Sequence, residues 1–196
     1  MSSIFFRHLL LPVGLVLSAG ALHGQLAIDD SVRSFTSLTN TTVTLTGRSE
    51  LHITGTSNPV SGSTIHLNSH DSWLFFDKIR PNTVNSSYIG QVRVNGSPAA
   101  HGTNVRVVQY GMGTVVTPFT NSEQPLETFT DPGFLGESKK YNLYNYYDSS
   151  GDLGVMHRNI SSFKLKRGFM ASFGTQTNGT GVTKLYIAQD HDVNIG

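Results

Sequence analysis

Apolar residues recur at every second position in short runs, and the runs themselves recur. Val43-Thr-Leu45 and Leu51-His-Ile53 are followed 22 residues later by Ile65-His-Leu67 and Trp73-Leu-Phe75. Period-two alternation buries one side of each run and wets the other, which is the pattern of a strand. Polar turns separate the runs, and no long stretch after residue 25 carries helical apolar spacing. The chain is expected to be all-β. Val105-Arg-Val107 followed by Thr114-Val-Val116 reads as a looser third copy. A fixed period near 22 residues is what a short β-solenoid gives. Hairpins of a β-sandwich give even spacing too, so both architectures stay open for an N-terminal module over residues 43–120. Residues 77–104 read as an insertion or a separate hairpin, with Asn95-Gly96 after Val92-Arg-Val94 as a type I′ turn signal. Alternation puts His52 on the outer face, opposite Leu51 and Ile53.

Residues 1–21 have the form of a signal peptide. Arg7 and His8 precede an apolar run from Leu9 to Leu17, and Ala19-Gly20-Ala21 fits a small-x-small cleavage site. The run is shorter than the roughly 20 residues that span a bilayer. Secretion or periplasmic location is therefore expected, with no membrane contact after cleavage. Residues 22–42 are weakly patterned and read as a linker or an incoming strand. Without Arg7 the 14 basic residues become 13, against 13 acidic ones. That balance argues against a nucleic-acid partner, which requires a basic stripe. The chain has 0 cysteines, so an exported core must hold without disulfides, and thiolate sites are excluded.

Pro118 to Pro125 lacks alternation and marks a boundary, leaving a second module over 121–196. Here Phe129, Phe134 and Gly136 have the spacing aromatic-x4-aromatic-x-Gly around the turn Asp131-Pro132-Gly133. Two strands folded about that turn stack the rings, and Gly136 falls where a side chain clashes or φ is positive. Ser161 and Ser162 lie one strand later, with hydroxyls able to bond the hairpin backbone. Phe129, Tyr141, Leu143, Phe163 and Leu165 are the expected inward positions.

This arrangement resembles the Greek-key motif of the βγ-crystallin family. The resemblance implies a second motif with its aromatic strand at Phe169 to Phe173 and a return strand at Val182 to Ala188. That copy departs from the pattern, having Asn178 and Thr180 where an aromatic and a glycine belong. Its last strand has no counterpart after Asp192, so the chain is expected to be part of a longer protein. The family's calcium site would need paired Asn or Asp before Ser161-Ser162, but His157 and Arg158 stand there. Calcium prefers anionic oxygen ligands. Ser161, Asp190 and Asp192 are the weak calcium candidates that remain, and no cofactor is expected.

His66 and His70 are four apart beside Asp71, a metal spacing on a helix. On a strand those positions stand about 13 Å apart, and no metal site is expected. The carboxylates Glu50, Asp71, Glu123, Glu127 and Glu137 show no pairing for glycosidase chemistry, and no Gly-x-Ser-x-Gly elbow occurs. Catalysis is not expected within these residues. Trp73 is expected in the core more than as a sugar platform. The binding clue is the cluster Tyr141, Tyr144, Tyr146 and Tyr147 beside Asn142, Asn145 and Asp148. Flat aromatic faces flanked by amides match the apolar faces and polar rims of sugar rings. Alternation turns Tyr141 and Tyr147 inward, leaving Tyr144, Asn145 and Tyr146 as carbohydrate-binding candidates.

The strings Leu74-Phe-Phe-Asp-Lys-Ile-Arg-Pro81, Asn104-Val-Arg-Val-Val-Gln-Tyr110 and Ile160-Ser-Ser-Phe-Lys-Leu-Lys-Arg-Gly168 resemble the N-terminal, non-catalytic region of secreted bacterial polysaccharide-acting enzymes. What that resemblance implies is an accessory module, monomeric, with a polysaccharide partner. The alternative is a structural β-module without a ligand.

Overall fold

A computed structural model describes residues 22–176 and 181–196. The expected signal peptide, residues 1–21, lies outside the described residues, as do Asn178 and Thr180. The protein is all-β, with 49% of the described residues in strands and 11% in helices. It divides into two compact units, one running to Thr120 and the other Asn121–Gly196.

In the first unit, β1 (Leu22–Asp29), β3 (Leu38–Thr46), β6 (Thr64–Leu67) and β8 (Val92–Val94) form one sheet and pair parallel in that order. Between them β2 (Val32–Phe35), β4 (Glu50–Ile53) and β7 (Trp73–Phe76) form a second sheet, also parallel. The chain thus winds from sheet to sheet and returns one rung further on. This is solenoidal winding, since a sandwich of hairpins would pair antiparallel. Short β5 (Val60–Ser61) adds to β3. Leu26, Val43, Ile65 and Val92 align as one column, and Ile28, Leu45, Leu67 and Val94 as the next. Leu51, Ile53, Leu74 and Phe76 of the second sheet meet the first sheet's buried residues in a common core.

Four expectations are corrected here. Residues 22–42 are neither linker nor a single incoming strand, but hold β1, β2 and the start of β3. The period is not fixed: Leu26 to Val43 is 17 residues, Val43 to Ile65 is 22 and Ile65 to Val92 is 27. Residues 77–104 are not an insertion alone. A helical stretch from Pro81 to Gln91 leads into β8, which joins the first sheet as a rung. The supposed third copy is a hairpin, β10 (Val105–Tyr110) and β11 (Gly113–Pro118), set antiparallel against β7. The turn after β8 is as its residues require: Asn95 has φ 47° and Gly96 φ 83°, and Val94 pairs with Ser97 of β9 (Ser97–Pro98).

Trp73 and Phe75 are buried, but not in the main core. The register pairs Leu51 with Leu74, so Leu74 and Phe76 point inward and Trp73 and Phe75 point outward. Together with Val115 they make a satellite cluster, flanked by Tyr110. Leu45 pairs with Leu67 and Leu51 with Leu74, so the path between the sheets is one residue longer in the later rung, and a one-residue shift moves every side chain to the other face.

In the second unit, β12 (Leu126–Asp131) lies between β13 (Leu135–Tyr141) and β14 (Ser162–Leu165), with β17 (Val193–Ile195) beyond β14, all antiparallel. The β12–β13 turn is folded over. Phe129 and Phe134 meet edge to face at 5.8 Å, and Lys164 Nζ stands 4.7 Å from the Phe134 ring centre. Gly136 has φ +76°, and a Cβ there would sit 2.3 Å from Thr130 Oγ1. Ser162 fixes the fold of the hairpin: its hydroxyl donates to Asp131 O at 2.7 Å and accepts from Phe134 N–H at 3.0 Å. Ser161 contributes its backbone, donating to Phe129 O, and its side chain is exposed. A second hairpin, β15 (Phe169–Gly174) with β16 (Thr183–Ala188), packs Phe173 and Tyr186 on Phe163.

Candidate functional site

The tyrosine loop follows β13. Its first ring is held inside: Tyr141 is buried, and its hydroxyl shares a hydrogen bond of 2.9 Å with Thr128 Oγ1. Burial pushes the Tyr141 phenol above its ordinary pKa, although the Thr128 hydrogen bond pulls it down, so the ring stays neutral. Tyr147 meets Tyr141 edge to face at 4.9 Å. Its hydroxyl accepts the N–H of Asn142 at 3.0 Å, which closes the loop on itself. Gln124 donates to Asn142 Oδ1 at 2.8 Å. Downstream, Ser149 caps the short helix α1 (Ser150–Leu153), accepting from Asp152 N–H at 3.0 Å. Lys139 reaches across to donate to Asp152 O.

Between those two fastenings the chain turns outward. Tyr144 has φ 59°. Tyr144 is 75% exposed and Tyr146 87% exposed, and Asn145 between them is exposed as well. Two aromatic faces and an amide thus stand exposed on a loop whose ends are anchored by the buried Tyr141 ring and the half-buried Tyr147 ring against it. Exposed tyrosines of this kind offer flat apolar area with few rotatable bonds, together with a hydroxyl at the rim.

Two of the three weak calcium candidates, Asp190 and Asp192, hydrogen-bond within the protein, and Ser161 is exposed. Asp192 Oδ1 accepts the backbone N–H of Arg167 at 2.9 Å. Asp190 bonds His191 Nδ1 at 2.6 Å, and this bond holds its carboxyl below the usual range. Among the described residues no group of three or more His, Asp or Glu is gathered to hold a metal ion.

One cluster escaped the sequence reading. His52 stacks on Phe75 with ring centres 4.3 Å apart, Nδ1 is 3.0 Å from Asp77 Oδ1, and Nε2 is 3.6 Å from Glu50 Oε2. Burial alone would lower its pKa, but the Glu50 and Asp77 carboxylates outweigh that and raise it above the ordinary value. The i, i+2 spacing of Glu50 and His52 was the available signal. Asp77 comes from the end of the next rung, which only the parallel register brings alongside.

The protein is defined by these features as an all-β chain of two units, one wound from parallel rungs and one built on a folded antiparallel hairpin. Comparison with profiles of known families, with curated proteins and with solved structures finds no match. Among the described residues no helix is long and apolar enough to cross a membrane.

Proposed function

We propose that this chain is a non-catalytic accessory module of a secreted bacterial protein, carbohydrate-binding and joined to a glycoside hydrolase, with Tyr144, Asn145 and Tyr146 as its contact surface. The observation that carries the reading is the exposure of two tyrosine rings on a loop fastened by the Tyr141–Tyr147 pair. Exposed rings at a fixed spacing stack on sugar C–H faces without much ordering cost. The second unit is read as a βγ-crystallin-like Greek key. The folded Phe129–Phe134 hairpin, the Ser162 bridge and the sheet order β13-β12-β14-β17 support that reading. Export to the periplasm or beyond rests on the pattern of residues 1–21.

The test is a polysaccharide pull-down with titration of any glycan retained. Tyr146→Ala is expected to weaken binding by about 2 kcal/mol, roughly thirtyfold, as loss of an aromatic anchor does. Its melting temperature should stay within the effect of an ordinary surface change, about 0.5 kcal/mol. Retention of no polysaccharide by the wild type would favour the structural β-module instead.

A further inference from the structure

We propose that the free edge of β15 is a self-association surface, at which two copies of this chain pair antiparallel into a four-stranded sheet, β16-β15 with β15-β16 of the second copy. Among the described residues the sheet of β15 and β16 is two-stranded, and two-stranded sheets are marginal alone. Thr175 N–H donates to Val182 O at 3.0 Å, which sets the phase of the ladder. Antiparallel alternation then turns the N–H and C=O groups of Met170, Ser172 and Gly174 away from β16. These three residues are all exposed.

Natural edges are guarded by charge, proline or a cover. The sequence of β15, Phe-Met-Ala-Ser-Phe-Gly, has none of the first two. The opposite strand β16 does carry a charge, Lys184. The choice of a second copy as occupant follows from the strand's near-palindrome about Ala171. Antiparallel pairing centred there sets Phe169 against Phe173 of the second copy, Ala171 against Ala171 and Met170 against Ser172. Large rings face each other on the inner side, where Phe163 already packs with Phe173, and small residues meet at the two-fold axis. No like charges are brought together. On the outer side, Met170 and Ile187 sit opposite each other and are 71% and 59% exposed, with Leu185 at 55%. The pairing continues this apolar row into the Ser172 and Leu185 of the second copy. This proposal departs from the monomer expected from the sequence. The surface lies on a different element from the tyrosine loop and stands or falls separately from glycan binding.

Sedimentation velocity of the purified protein, from micromolar to near-millimolar concentration, is the first measurement. A concentration-dependent dimer is expected, and a monomer throughout overturns the proposal. Ser172→Lys puts a charge on the edge at an exposed position and should weaken the dimer at least about tenfold while leaving the melting curve of the dilute protein unchanged. A dimer of unaltered affinity also overturns it. The register has its own reporter, because the chain has 0 cysteines. Ala171→Cys on each copy would lie about 4.5 Å apart between Cα atoms, close enough for a disulfide. Mild oxidation should give a covalent dimer, and a dimer that does not cross-link refutes pairing about Ala171.

Discussion

The two units solve the same problem, a disulfide-free all-β core, by opposite means. The wound unit repeats itself: its columns of Leu, Ile and Val continue from rung to rung, and among the described residues its main cluster holds 20 buried apolar side chains. The hairpin unit has a main cluster of four, completed by partly buried aromatic rings. Its shape depends instead on a few local devices, among them a positive-φ glycine, an edge-to-face ring pair and a buried serine hydroxyl. The stack is held by burial that is additive and redundant, while the hairpin unit depends on single backbone positions. Damage to the first should scale with volume removed, and damage to the second with geometry lost.

The largest expected effect tests the burial side. Phe76 is fully buried in the stack and its ring lies 5.6 Å from that of Tyr88. Phe76→Ala should cost about 3–5 kcal/mol. Calorimetry with two resolved transitions should show only the first unit's melt displaced. Equal displacement of both would break the comparison, because the units would then unfold as one.

Gly136→Val tests the geometric side. It removes no volume, but forces a branched residue into φ +76° and drives its Cβ against Thr130 Oγ1, which accepts the N–H of Glu137. A loss of about 1–3 kcal/mol is expected in the second unit. An unchanged melt would mean that the folded hairpin is not what holds this unit.

The smallest effect is a pH dependence confined to the stack. The folded-state pKa of His52 lies above its unfolded value. Its contribution is therefore fully present below the unfolded value of 6.5 and is lost as pH rises through the folded pKa. His52→Gln should flatten the stability profile of the first unit in that window and leave the second unit's profile as it was. A wild-type profile already flat there would show that the Glu50 and Asp77 carboxylates do not stabilise the imidazolium.

Much of this was legible in the residues. The alternation of Val43 to Ile53 and Ile65 to Leu67, the Asn95-Gly96 turn and the Phe129–Phe134–Gly136 spacing each name a local conformation. Local conformation does not carry the direction of pairing, since parallel and antiparallel strands share one alternation. Residues 22–42, whose alternation is interrupted by Gly24 and Ser34, read as a linker or one incoming strand for want of a visible partner, and only the parallel pairing makes rungs of them. The outward turn of Trp73 depended on one extra residue in a connection, which periodicity cannot register. In the tyrosine loop the inward pair and the outward pair could be assigned by alternation from Tyr141. The Glu50–His52–Asp77 cluster could not, because Asp77 becomes a neighbour of His52 only once the second rung is laid on the third.

Among the described residues β1 is the outermost strand of its sheet and is paired on one side, to β3, whereas β3 and β6 each have strands on both sides. In a one-dimensional array each layer answers only to its neighbours, so the layers should not share one lifetime. Amide protons of β1 should exchange first, those of β3 later and those of β6 last, so that hydrogen exchange would read the order of the rungs as a sequence of times.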